Sequence, residues 1–189
     1  ALTGKGSAVR GYAHVVKEDL VSKNLLYAGT EFGLWISLDG GKQWAQYKGS
    51  EFPNVAVHDI VVHPRDHDLV IATHGRGIWI IDDVTPLRGL TPEALASAAT
   101  FVRARPTVQE INAFGGWAEG DAVFNGPNPP GDALITYYQK KRHIFGDLKI
   151  EILDQSGKVL GTIPSGKRRG LNRATWGMRL KAPRVPTAA

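Results

Sequence analysis

The sequence has no cysteine and a single methionine, Met178. The lack of thiols excludes disulfides, thiolate nucleophiles and cysteine-ligated zinc, and leaves both a cytoplasmic and an exterior setting open. No apolar run approaches the roughly 20 residues that a helix needs to cross a bilayer, and no basic-then-apolar segment marks a signal peptide. A membrane span is therefore not expected. Acidic charge is scarce only in the second part of the chain: residues 1–131 carry 11 basic and 14 acidic side chains, whereas residues 132–189 carry 12 basic and 4 acidic. With 189 residues, 42% of them hydrophobic and 22% charged, wholesale disorder is excluded and one large or two small domains are allowed. The charge split predicts two units. The chain opens on Ala1 rather than methionine, which predicts a processed product or part of a longer protein.

What is present is a repeat. Leu25–Ile36 aligns without gaps on Leu69–Ile80 at an offset of 44 residues, matching Gly33 with Gly77 and Trp35 with Trp79. Upstream, Val15–Asp19 is set against Val61–Arg65 with a two-residue adjustment in the intervening turn. Each copy reads as three short strands, near 11–16, 25–29 and 33–37 with a fourth near 43–47, then near 57–62, 69–73 and 77–82. Antiparallel strands recurring at about 40–50 residues predict β-propeller blades.

After the third strand stands Ser37-Leu38-Asp39-Gly40-Gly41-Lys42-Gln43-Trp44. It fits the Asp-box pattern of sialidase-like and sortilin-like propellers, Ser/Thr-x-Asp-x-Gly-x-x-Trp/Phe, with Gln43 where Thr is usual. Asp39 is suited to accept backbone N–H groups across the turn, Gly41 to take a positive φ, and Trp44 to fold back over the hairpin. The resemblance implies a structural role for Ser37, Asp39, Gly41 and Trp44, on the rim and away from the ligand face. The second copy, with Ile81-Asp82-Asp83 at that place, lacks the box.

The segment Ala72–Asp83, followed by Thr85-Pro86-Leu87, resembles the closing blade of bacterial proteins labelled glycosyl hydrolase, BNR repeat or sortilin-like. That resemblance implies an all-β fold, the last blades of a β-propeller followed by a C-terminal immunoglobulin- or fibronectin-like β-sandwich. It also implies a secreted, periplasmic or cell-surface location. The boundaries expected are 1–90 for the last two blades, 91–131 for a connector, 132–182 for the sandwich and 183–189 for a Pro-containing tail. Closed propellers need at least about four blades, so two would leave sheet faces uncovered. The remaining blades are the expected partner, from the same longer chain or from a separate polypeptide.

In the second half, Thr91-Pro92-Glu93 opens a short helix, Phe101–Pro106 reads as an edge strand, and residues 115–132 as a Gly/Pro-rich loop. Strands are expected at 133–138, 148–153, 159–163 and 172–180, with a turn at 154–158 and Trp176 in the core.

Histidines 58, 63, 67 and 74 match no spacing with a coordination logic, so no metal and no cofactor is implied. Glycosidase chemistry needs two carboxyl groups about 5–9.5 Å apart; Asp82 and Asp83, adjacent in an apparent strand, would point to opposite faces. No catalytic residue is assigned. Lys140-Lys141-Arg142-His143 and Lys167-Arg168-Arg169 fall in two turns and, if these share one end, would bind a polyanion. Neither tract has the interleaved aromatics of a single-stranded nucleic-acid groove, which favours an acidic glycan or protein surface over nucleic acid. The residues together predict a non-catalytic interaction module. The alternatives are a sialidase-like glycoside hydrolase with its catalytic residues in absent blades, and a structural subunit docking through its basic sandwich.

Overall fold

A computed structural model describes residues 8–49, 52–109 and 131–180. The tail 183–189 and all but the end of the 115–132 loop lie outside the described residues. The described residues form an all-β protein of four small antiparallel sheets with two short helices. Among them no barrel and no ring of sheets is closed. The chain divides into two compact units, Ala1–Leu95 and Ala96–Ala189.

The first unit holds a four-stranded sheet of β1 (Ala13–Glu18), β2 (Leu26–Thr30), β3 (Gly33–Ser37) and β4 (Ala45–Gln46). A three-stranded sheet of β5 (Val57–Val62), β6 (Leu69–Thr73) and β7 (Ile78–Ile81) packs on it. The two sheets carry the same irregularities. β1 pairs Ala13 with Thr30 and Val15 with Gly29, leaving His14 bulged; β5 pairs Val57 with Thr73 and Asp59 with Ala72, leaving His58 bulged. The Thr30 hydroxyl donates to the Gly33 carbonyl at 3.4 Å, and the Thr73 hydroxyl to the Gly77 carbonyl at 2.6 Å. The Glu31 amide donates to Tyr12, as the His74 amide does to Ala56.

These matches fix the repeat and correct its alignment. The offset is 44 in the outer strands (14 to 58, 35 to 79) but 43 in the middle one (30 to 73). The turn after β2 has two residues, Glu31 and Phe32, and the turn after β6 has three, His74, Gly75 and Arg76, which shifts the middle strand by one. Ala28 thus corresponds to Ile71 and Tyr27 to Val70. A one-residue slip moves every side chain of a strand to the other face, so the correction decides how the sheets stack. Ile60, Ile71 and Trp79 of the second sheet, equivalent to Val16, Ala28 and Trp35, face the first sheet. The first sheet meets them with its opposite face, Tyr27, Leu34 and Ile36. The stacking is head to tail. Gly29 permits it, because a Cβ there would lie 2.6 Å from the Val57 side chain and 2.7 Å from its carbonyl oxygen.

After β7 come α1 (Thr85–Arg88) and α2 (Pro92–Ala96), the latter on the segment expected to be helical. α1 places Arg88 against Asp19 in the β1–β2 turn, with Nε–Oδ2 at 2.8 Å and Nη2–Oδ1 at 2.9 Å.

In the second unit, β8 (Ala99–Val102) is the edge of a sheet ordered β12-β9-β8, with β9 spanning Ala133–Gln139 and β12 Gly170–Trp176. The hairpin of β10 (Lys149–Leu153) and β11 (Val159–Pro164) forms the other sheet. Its turn is tied by the Asp154 carboxylate, which accepts the Ser156 and Lys158 amides. The core between the sheets is Tyr137, Ala174 and Ile150, with Ile135, Ile152 and Ile163 packed around it. Trp176 lies outside this core, only partly buried at the end of β12. The strand stops there rather than at Leu180, since Gly177 follows and Met178 turns to a positive φ of 52°.

Candidate functional site

The Asp-box segment forms a closed turn. Ser37 is buried; its hydroxyl donates to Asp39 Oδ1 at 2.9 Å and accepts the Gly41 amide at 2.9 Å. Asp39 Oδ1 also accepts the Gln43 amide at 2.9 Å, and the Trp44 indole N–H donates to the Gly41 carbonyl. The Gln43 amide foremost, with the Ser37 hydroxyl, holds the Asp39 carboxyl below its ordinary range. Gly40 and Gly41 take φ of 72° and 89°. These bonds run within the hairpin itself, and Trp44 packs beside Trp35.

The histidines separate into two groups. His63 and His67 lie in the β5–β6 turn, where His63 Nδ1 accepts the Asp66 amide and His67 Nδ1 is 3.3 Å from Arg88. His58 and His74 lie at the opposite end of the sheet, their ring centroids 5.5 Å apart, and His14 stacks on His58 at 4.6 Å. His14 joins this row because both bulges aim a histidine the same way, which spacing within residues 58–74 could not reveal. Among the described residues no group of three His, Asp or Glu side chains is placed to hold a metal ion.

The acids are placed differently from their sequence reading. β7 ends at Ile81, so Asp82 and Asp83 follow the strand rather than alternate within it. Asp83 is buried at a φ of 49° and accepts the Thr85 amide and hydroxyl. Asp59 accepts the amide of its own neighbour Ile60.

The basic turns do meet. Antiparallel pairing of β9 with β12 sets Gln139 opposite Gly170, which brings the Lys140–His143 segment beside Lys167–Arg169. The His143 amide donates to the Lys167 carbonyl at 3.0 Å. Lys140, Lys141, Arg142, Arg168 and Arg169 are exposed; Lys167 is half-buried, donates to the Gly146 carbonyl and lies 3.8 Å from Asp147. Lys140 donates to the Ala96 carbonyl at 3.1 Å.

Side chains absent from the sequence reading tie this end together. The Tyr137 hydroxyl and Gln139 amide both donate to the Gly166 carbonyl, at 2.8 and 2.7 Å, and Asn172 donates to the carbonyls of Arg168 and Gly170. All three are buried. The only sequence signal was a polar Gln and Asn at inward positions of otherwise apolar strands. Comparison with protein-family models, curated proteins and solved structures finds no match. The site must be read from its own chemistry, which is that of a pre-ordered cationic end above an apolar core.

Proposed function

We propose that this chain is a non-catalytic interaction module, the closing blades of an Asp-box β-propeller followed by a β-sandwich, in a secreted or surface protein. One observation carries the reading. The inward residues Tyr27 and Leu34 of the first sheet are 0% exposed, whereas Ile78 and Ile80 of the second sheet, equivalent to Leu34 and Ile36, are 73% and 59% exposed. Val61, on the same face, is 51% exposed. Among the described residues this face is covered in one copy of the repeat and bare in the next. A further sheet of the same kind, carrying a tryptophan where Trp79 stands, is the occupant that such a face fits.

The test is the intact mass of the native polypeptide together with amide exchange along β7. The reading requires a polypeptide or stable complex well above 20.5 kDa, in which the Ile80 amide exchanges more slowly than in the isolated chain. A native, monomeric 20.5 kDa polypeptide with unchanged exchange at β7 overturns it.

A second reading has its own support. The two basic turns lie side by side, so their charges act as one patch towards an acidic glycan or protein surface, and binding of that kind weakens as salt screens it.

A further inference from the structure

The geometry points to a small-molecule site in the second unit, a cleft between β8–β9 and β10 that takes a ligand with a flat apolar body and one anionic group, an aromatic carboxylate in class. Phe101 pairs in register with Tyr137, so both rings project from the same face of the sheet. Tyr137 is 5% exposed beneath the β10–β11 hairpin, while Phe101 is 67% exposed. The edge strand β8 thus reaches past the hairpin, and among the described residues an inward-facing aromatic is left without cover. The gap has a volume of about 420 Å³, with Leu148 and Ile150 as its other wall. That lies within the range of about 300–1,000 Å³ usual for small-ligand sites.

The walls choose the ligand. The Phe101 ring meets the buried Tyr137 ring edge to face, with centroids 6.4 Å apart at 67°, and so stands as a ledge on which a planar π system packs. The polar atoms at the back are already engaged: the Tyr137 hydroxyl and the Gln139 amide are held by Gly166, and the Ser165 hydroxyl donates to the Leu148 carbonyl at 2.7 Å. A neutral ligand therefore finds little to hydrogen-bond there. At the mouth stand Lys141, Arg142 and Lys149, all exposed, and none forms an ion pair among the described residues. Their backbone is ordered in advance by the Lys140 amide bonded to Ala98 and the His143 amide bonded to Lys167, both at 3.0 Å. An apolar floor under unpaired cations selects an amphiphilic anion. A polyanion, by contrast, reads the cations and has no use for Phe101.

Calorimetric titration of the full chain with 2-naphthoate and with the neutral 2-naphthalenemethanol tests this. The acid is expected to bind about tenfold more tightly than the alcohol, the difference that a charge-assisted contact supplies. Phe101→Ala, at an exposed position, should weaken naphthoate about fivefold through the lost ring contact. Lys141→Gln with Arg142→Gln should weaken it about as much and reduce its salt dependence, leaving the part due to Lys149. Equal affinity for acid and alcohol, no binding of naphthoate to the unaltered chain, or binding indifferent to Phe101→Ala overturns the assignment.

Discussion

Asp19 and Arg88 form a buried ion pair, with side chains 0% and 15% exposed. Burial pushes the Asp19 carboxyl up, but hydrogen bonds from Arg88, Ser22 and Val21, with the Arg88 charge, outweigh it and hold the group below its ordinary value. A carboxyl depressed in the folded state contributes stability that is complete above its unfolded pKa and is lost as pH falls through the folded one. Acid unfolding of the first unit should therefore steepen below about pH 4 and flatten in Asp19→Asn, as followed by circular dichroism. Arg88→Ala leaves Asp19 buried without its cation and should cost about 3 kcal/mol at neutral pH in urea unfolding. Ser37→Ala removes a buried hydroxyl that both donates to Asp39 and accepts from Gly41, for an expected loss of about 1–2 kcal/mol by the same measurement.

At the scale of the element, most strands were legible because alternation and turn residues agree. The β10–β11 hairpin and the two tryptophan-bearing strands of the repeat lie close to where the pattern sets them, whereas β8 runs over Ala99–Val102 and shares only Phe101 and Val102 with the 101–106 expected. The middle strand of the repeat was misaligned because Ala28 and Ala72 are identical while the turn that follows them differs by a residue. Identity in an apolar run does not reveal a change of turn length, whereas hydrogen bonds from Thr30 and Thr73 do. Trp176 failed as a core residue for a different reason. Bulk predicts burial only where a facing sheet exists, and the strand end pairing with Ala133 lies outside the packed cluster. The basic tracts were plain in the sequence, but their union depends on β9–β12 register, which local pattern does not specify. Asn172→Ala tests the buried staking directly: it frees the Arg168 and Gly170 carbonyls. Amide exchange of residues 167–170 should then rise several-fold, with little change at β10.

For the whole molecule, charge and repeat set separate expectations. Residues 132–189 carry all of the positive excess, residues 1–131 being net negative, so retention on a sulfated resin should fall with added salt. Lys167→Ala with Arg168→Ala and Arg169→Ala should remove the salt-dependent part; retention unaltered by these changes would exclude docking through this patch. The repeat has a further consequence. Trp35, which begins the stack, is 6% exposed beneath Val9 and Trp44, whereas Val16 on the same face is 50% exposed, so the leading side is covered at its tryptophan alone. A second copy, like a preceding blade, must displace Val9 and Trp44 from Trp35 before it can make the contact found inside the chain. Growth into filaments, the usual hazard of a head-to-tail interface, is hindered by that displacement, and a sheet whose tryptophan is uncovered holds the advantage at the bare trailing side.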